Sequence, residues 1–226
     1  MTGSRRDLWR RDTRPGILVI VFAVGIVGFV LLVLAGFTVP AFVAIDEMLS
    51  ETLRALEGPV LDQVVLVLTQ VADLEVMLVL TVGATIGLWA TKRRPEAILL
   101  LATVALGTAL GSLFKEIFQR ARPGLEYARI PLPDSYSFPS GHALASFLFF
   151  GTITFIVMLE AKSLATRIWV AAVCFTMAAG VAISRVYLGL HWFGDILASW
   201  LLGAAWMSVT VAAYFWFTQA QAIEKD

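Results

Sequence analysis

Residues 17–39 read ILVIVFAVGIVGFVLLVLAGFTV, 23 positions without one charged side chain. About 20 apolar residues suffice for a helix to cross the hydrocarbon core of a bilayer, so this stretch by itself predicts a membrane span. Five more stretches follow. Residues 74–90 are interrupted only by Glu75, and 97–114, 143–159, 168–183 and 196–217 carry no charge at all. Backbone N–H and C=O groups find no water in lipid and must pair within their own segment, so each run is predicted to be helical. The expected fold is all-α, a polytopic membrane protein with six transmembrane helices. A basic segment, 1–16, precedes the membrane domain, 17–217, and a short tail, 218–226, ends the chain. The first run exceeds the 7–15-residue apolar core of a cleaved signal peptide, so it is expected to stay as an anchor. Residues 59–71 are apolar but contain Asp62 and Gln70; they read as an extension of the second span or a short interfacial helix. Asp73 and Glu75 are expected as solvated carboxylates at a helix end.

Composition agrees. The chain is 59% hydrophobic and 15% charged, whereas soluble domains carry about 25% charged residues. A soluble protein of this length has too little interior to hide so much apolar surface. Net charge is zero and no broad basic surface is present, so nucleic acid is not an expected partner. The single cysteine, Cys174, excludes an internal disulfide and a multi-cysteine metal site. It reads as a small core or lipid-facing residue.

Loop charges orient the chain. Arg5, Arg6, Arg10, Arg11, Arg14, Lys92, Arg93, Arg94, Lys162, Arg167 and Lys225 fall on one side. Only Arg54, Lys115, Arg120, Arg122, Arg129 and Arg185 fall on the other. The larger group predicts cytoplasmic N- and C-termini in the cell membrane. Trp89, Trp169 and Trp216 sit near cytoplasmic helix ends, where aromatic belts form.

Five of the six outer cations lie near the only two histidines of the chain, in three local patterns. The first is Lys115-x6-Arg122-Pro123. Seven residues make about two helical turns, so Lys115 and Arg122 are expected to share a face, with Pro123 ending the helix. As snorkelling interfacial cations the pair would need no further role. The second is Pro139-Ser140-Gly141-His142, immediately before the fourth span. Ser140 suits an N-cap, Gly141 permits close approach to the backbone, and a helix N-terminus favours an anion. An ordinary capped helix start would leave His142 unexplained. The third is Ser184-Arg185-x5-His191-x3-Asp195. His191 and Asp195, four apart, can meet on one helical turn, and an adjacent carboxylate fixes a histidine's tautomer.

Topology puts all three patterns on the outer side, where they describe a pocket for a tetrahedral oxyanion. Arg122 and Arg185 would grip non-bridging oxygens through their planar forks. Lys115 would add a point charge, and the N–H groups near Ser140 and Gly141 further donors. His191, oriented by Asp195, suits a nucleophile that forms phosphohistidine. His142 would protonate the leaving alkoxide and then activate water. No metal or other cofactor is required by this scheme, because a carboxylate-rich cluster for Mg²⁺ is absent.

All eleven fixed positions of these patterns resemble, in order, the signature of the type-2 phosphatidic acid phosphatase superfamily, which also contains vanadium haloperoxidases. The resemblance implies the same roles. His191 is the nucleophile, Asp195 its partner and His142 the acid, while Lys115, Arg122, Ser140, Gly141 and Arg185 bind phosphate. It implies a lipid phosphatase whose substrate is undecaprenyl diphosphate, phosphatidylglycerophosphate or phosphatidic acid. A polyprenyl diphosphate stands first by analogy alone. The partners expected are the lipid phosphate and the bilayer, with the site on the extracytoplasmic side. Residues 124–138 would form its outer wall, with Arg129 a solvated loop cation in preference to a contact with a second phosphate. A lipid phosphotransferase would use the same intermediate and pass phosphate to an alcohol. A transporter or flippase would bind the head group without needing the His–Asp spacing.

Overall fold

Proline sets three of the helix starts. Pro40, Pro59 and Pro95 occupy the first or second helical position, where a missing N–H costs nothing and the fixed φ is already helical. The computed structural model describes residues 15–223 apart from Glu57. The predicted basic segment up to Arg14 and the residues after Ile223, Lys225 among them, lie outside the described residues. Eight α-helices follow in order: α1 Pro15–Thr38, α2 Pro40–Arg54, α3 Pro59–Gln70, α4 Leu74–Ala90, α5 Arg94–Phe118, α6 Gly141–Glu160, α7 Leu164–Tyr187 and α8 Phe193–Ile223. No strand occurs among the described residues.

Five of these, α1 and α5 to α8, are long and apolar enough to span a bilayer. The pair α3 and α4, bent by 54° at their junction, brings the number to six if counted as one span. Residues 59–71, expected as an extension or an interfacial helix, thus form a separate short helix set at an angle to α4. Three boundaries differ from the sequence expectation. Residues 40–54 form α2, an amphipathic helix whose Asp46, Ser50 and Arg54 are buried; its charged positions interrupt any apolar run. The last helix runs on past the predicted span to Ile223, so residues 218–223 continue α8. The third helix of the predicted set, α5, stops at Phe118. Gln119 follows with φ +47° in the left-handed region, and its N–H caps the Lys115 carbonyl.

The helix α6 lies inside the bundle against α5, α7 and α8, with Leu144 and Leu148 fully buried. Packing within lipid relies on close approach and on paired polar groups. At Gly25 a Cβ would stand 2.7 Å from the Leu201 carbonyl oxygen, so only glycine lets α1 lie this close to α8. Thr103 Oγ1 donates to Thr210 Oγ1 at 2.9 Å, and Trp206 Nε1 to the Thr103 carbonyl at 3.0 Å, tying α5 to α8. Phe29, Phe114, Phe118 and Phe138 form an aromatic cluster beneath the 119–140 segment, with Phe118 and Phe138 edge to face at 5.3 Å.

The two ends of the bundle differ. One carries the Arg93–Glu160 ion pair at 3.1 Å, the Tyr214 hydroxyl bonded to Glu96 at 3.1 Å, and exposed Trp89, Trp169 and Trp216. The opposite end gathers α2, the 119–140 segment and the 188–192 turn.

Candidate active site

At that opposite end four helix termini converge. Lys115 lies in the last turn of α5, Gly141 and His142 open α6, Arg185 lies in the last turn of α7, and Asp195 sits in the first turn of α8. Arg122 and His191 come from the connecting segments.

His191 reaches the interior through a turn only glycine can make. Gly189 has φ +71°, and a Cβ there would fall 2.0 Å from the Tyr127 carbonyl oxygen. The imidazole is 2% exposed. Its Nδ1 lies 3.3 Å from Asp195 Oδ2 and its Nε2 lies 3.2 Å from Arg122 Nη1. A guanidinium can only donate, so Nε2 carries the lone pair and Nδ1 the proton that faces Asp195. Burial pulls this imidazole down to about 3 against the raising effect of Asp195, with Arg185 and Arg122 adding to the depression. His191 is therefore a neutral base at physiological pH.

Asp195 is fully buried and held from several directions. Its Oδ2 accepts the Trp192 N–H at 3.0 Å, an acid in the first helical turn reaching back to the residue before the helix. The Ser137 hydroxyl also donates to Oδ2. Arg120 Nη1 donates to Oδ1 at 2.7 Å, while its Nη2 donates to Asp46 Oδ2 on α2 at 2.8 Å. Asp46 Oδ1 in turn accepts the Gly194 N–H at 2.6 Å, and Ser50 Oγ the Phe193 N–H at 3.0 Å, so α2 caps the start of α8. Burial disfavours the Arg120 cation, and the Asp195 and Asp46 charges outweigh it, so its pKa is raised.

The cations are oriented by backbone. Lys115 Nζ donates to the Tyr136 carbonyl at 2.6 Å. Arg122 donates to the Ser135 carbonyl at 2.7 Å, the Leu190 carbonyl at 2.6 Å, the Ser135 hydroxyl at 3.0 Å and the Tyr136 carbonyl at 3.3 Å. Lys115 and Arg122 thus meet at one carbonyl. They do so across a loop, not on a shared helical face as expected, because α5 ends four residues before Arg122. Arg185 is 4% exposed. Its Nη1 donates to Thr69 Oγ1 of α3 at 2.6 Å and its buried Nε has no protein partner. Ser140 takes the predicted N-cap position, its hydroxyl accepting a long 3.4 Å bond from the Ala143 N–H. Lys115 Cε lies 4.0 Å from where a Gly141 side chain would start, so the ammonium stem passes close over the α6 N-terminus.

His142 has a partner that the sequence did not reveal. Its Nε2 lies 2.9 Å from Asp73 Oδ1 at the bend between α3 and α4. Asp73, expected as a solvated helix-end carboxylate, is half exposed yet paired. A groove of about 420 Å³ leaves this point between α4, α5 and α6. Lys115, Gly141 and His142 line its mouth, and Met77, Leu78, Leu101 and Val104 its depth. Arg129, expected as a solvated cation, bonds Asp62 Oδ1 at 2.9 Å and the Tyr187 hydroxyl at 3.0 Å, along with the Arg54 and Leu56 carbonyls. It buttresses the outer loop away from the histidines. Among the described residues no three His, Cys, Asp or Glu side chains gather in a way that could hold a metal ion.

The site residues missed from sequence are Asp73, Arg120, Asp46, Ser137 and Thr69. Asp73 already sat at the outer boundary at the level of His142, and Arg120 lies two residues before Arg122. Neither position discloses a partner some 70 residues away.

Helical spans, with two His–Asp couples set among Lys and Arg at one rim, define a polytopic membrane protein with a buried, ionised polar site. The chain belongs to the PAP2 superfamily, whose sequence profile matches residues 96–219. It is 27% identical to phosphatidylglycerophosphatase B of Bacillus subtilis over 176 residues, covering 77% of this chain and 86% of that one. It is 33% identical to an undecaprenyl-diphosphatase of Sulfolobus acidocaldarius over 121 residues, 52% of this chain and 54% of that one. The crystal structure of a transmembrane PAP2-type phosphatidylglycerolphosphate phosphatase from Bacillus subtilis superposes with a TM-score of 0.76. That match has 25% identity and covers 84% of this chain and 94% of the other. Aquifex aeolicus LpxE shares the fold with a TM-score of 0.57 at 21% identity, over 73% of this chain and 93% of its own.

Proposed function

We propose that this protein hydrolyses the terminal phosphate of a membrane lipid through a phosphohistidine on His191, at the extracytoplasmic head-group level. The observation that carries the reading is the orientation of His191. Its Nε2 lone pair points toward the Arg122 guanidinium, and its Nδ1 is backed by the buried Asp195. The names of the two curated relatives, one a phosphatidylglycerophosphatase and one an undecaprenyl-diphosphatase, support a lipid phosphate as substrate.

In this scheme the phosphoryl group lies among Lys115, Arg122, Arg185 and the N–H groups at Ser140 and Gly141. Arg122 releases its contact with Nε2 to a non-bridging oxygen, and the unpartnered Nε of Arg185 supplies another donor. Nε2 attacks phosphorus, the bond to the lipid oxygen breaks, and the new N–P bond forms. Asp195 accepts from Nδ1–H and stabilises the cation that develops on the ring. His142 acts as the acid in its imidazolium form: Nε2–H donates to Asp73, and the second proton, on Nδ1, passes to the leaving alkoxide or lipid phosphate, leaving the ring neutral. Water then attacks phosphorus, His142 takes its proton, the N–P bond breaks and inorganic phosphate leaves. The fixed cations stabilise the charge spread over the equatorial oxygens in both steps. The lipid body lies in the apolar groove between α4, α5 and α6. The excess of Lys and Arg on the opposite loops supports the outward-facing site and cytoplasmic termini.

Phosphate release from lipid substrates in detergent tests the reading. His191→Ala is expected to insert and fold but release no phosphate. Retained turnover in that variant would remove the covalent mechanism. Transfer of phosphate to an added alcohol in place of water would identify a phosphotransferase.

A further inference from the structure

The groove below the site is apolar except for Thr81 on α4 and Thr108 and Ser112 on α5. Hydroxyls on membrane helices ordinarily donate to their own helix. Thr108 bonds the Val104 carbonyl at 2.8 Å, Ser112 the Thr108 carbonyl at 3.1 Å, Thr152 the Leu148 carbonyl at 2.7 Å and Thr154 the Phe150 carbonyl at 2.9 Å. Thr81 does not. It is 4% exposed and its buried Oγ1 has no partner. An unmatched donor in such surroundings is destabilising unless a ligand acceptor meets it.

Depth tells which acceptor fits. With a rise of 1.5 Å per residue, Thr81 lies roughly 12 Å along α4 from Asp73, and Thr108 roughly 10 Å along α5 from Lys115. Both therefore sit at one level, beyond the phosphate cradle and above the purely hydrocarbon lining. A glycerolipid whose terminal phosphate is separated from its acyl esters by a polar spacer carries ester carbonyls at about that remove. A polyprenyl chain has only hydrocarbon there and would leave Thr81 unmatched.

We infer that Thr81 donates a hydrogen bond to an acyl ester carbonyl of a glycerophospholipid, and that this contact selects ester-linked glycerolipids over polyprenyl phosphates. The inference rests on the reading of the site as a lipid phosphatase and refines its substrate. It replaces the polyprenyl diphosphate that analogy put first.

The test measures phosphate release by the purified full-length protein in mixed micelles. The substrates are ester-linked phosphatidylglycerophosphate, its ether-linked analogue without carbonyls, and a polyprenyl diphosphate. The wild type is expected to show a lower KM for the ester form than for the ether form. In Thr81→Val the ester KM should rise by about five- to tenfold, the effect of one neutral hydrogen bond, and meet the ether value, with kcat and the polyprenyl rate unchanged. Thr85→Val is the control: its hydroxyl also lacks a partner, one turn further along α4, but does not line the groove. It should keep the ester preference. Equal KM for ester and ether forms in the wild type, or an ester preference that survives in Thr81→Val, would overturn the inference. Absence of phosphate release from all three lipids would instead defeat the phosphatase reading itself.

Discussion

Arg120→Gln offers a sharp test of how the site is held together. The guanidinium stands between two buried carboxylates, 2.7 Å from Asp195 Oδ1 and 2.8 Å from Asp46 Oδ2. Removing it takes the directly bonded cation from both acids, and breaking a buried pair from one side typically costs about 3–5 kcal/mol. A lowered thermal midpoint in detergent is therefore expected. The rate should fall as well, because Asp195 loses the bond that fixes its carboxylate plane beneath His191. One charge-assisted hydrogen bond is worth about 1.5–3 kcal/mol, and if that is lost in the transition state kcat drops by about 10- to 100-fold. KM should change little. Without Arg120 the Asp195 charge acts more strongly on the imidazole, so the His191 pKa rises from about 3, and the acid limb of the kcat profile moves to higher pH. Asp46→Asn added to Arg120→Gln neutralises the acid stranded on α2. The double variant should regain part of the stability lost in the single one, a non-additive result expected for contacting groups, while kcat stays low. A wild-type kcat and an unmoved acid limb in Arg120→Gln would refute the argument and reduce Arg120 to a packing residue.

Other expectations follow from the same geometry. Asp73→Asn should lower kcat by about 10-fold or more through His142, and phosphate-release assays would expose an unaffected variant, which would return Asp73 to a surface role. For His191, the unfolded chain binds a proton below about pH 6.5 that the folded chain refuses until about pH 3. Stability from this residue is thus complete above pH 6.5 and lost as pH falls through that window. In His191→Gln the corresponding slope in a pH series of thermal midpoints should flatten. Turnover should survive excess EDTA, and vanadate should inhibit it as a five-coordinate mimic of phosphorus; loss of activity on chelation would point to a metal in the reaction.

The sequence determined what local chemistry can state. Runs of uncharged residues announced helices in lipid, because an unpaired backbone group is intolerable there. The spacing of Ser140 to His142 announced a helix start, and that of His191 to Asp195 a contact within one turn. Tertiary structure decided everything that depends on which helix ends become neighbours. Asp73 pairs with His142 across 69 positions of chain, Arg120 joins Asp195 to Asp46 across more than 70, and Arg185 finds Thr69 across 116. Such contacts leave no periodic trace, since each involves one polar side chain placed by the packing of a whole bundle. The same holds for α2, which no apolar run announces. Its carboxylate and hydroxyl became the cap of the helix that carries Asp195.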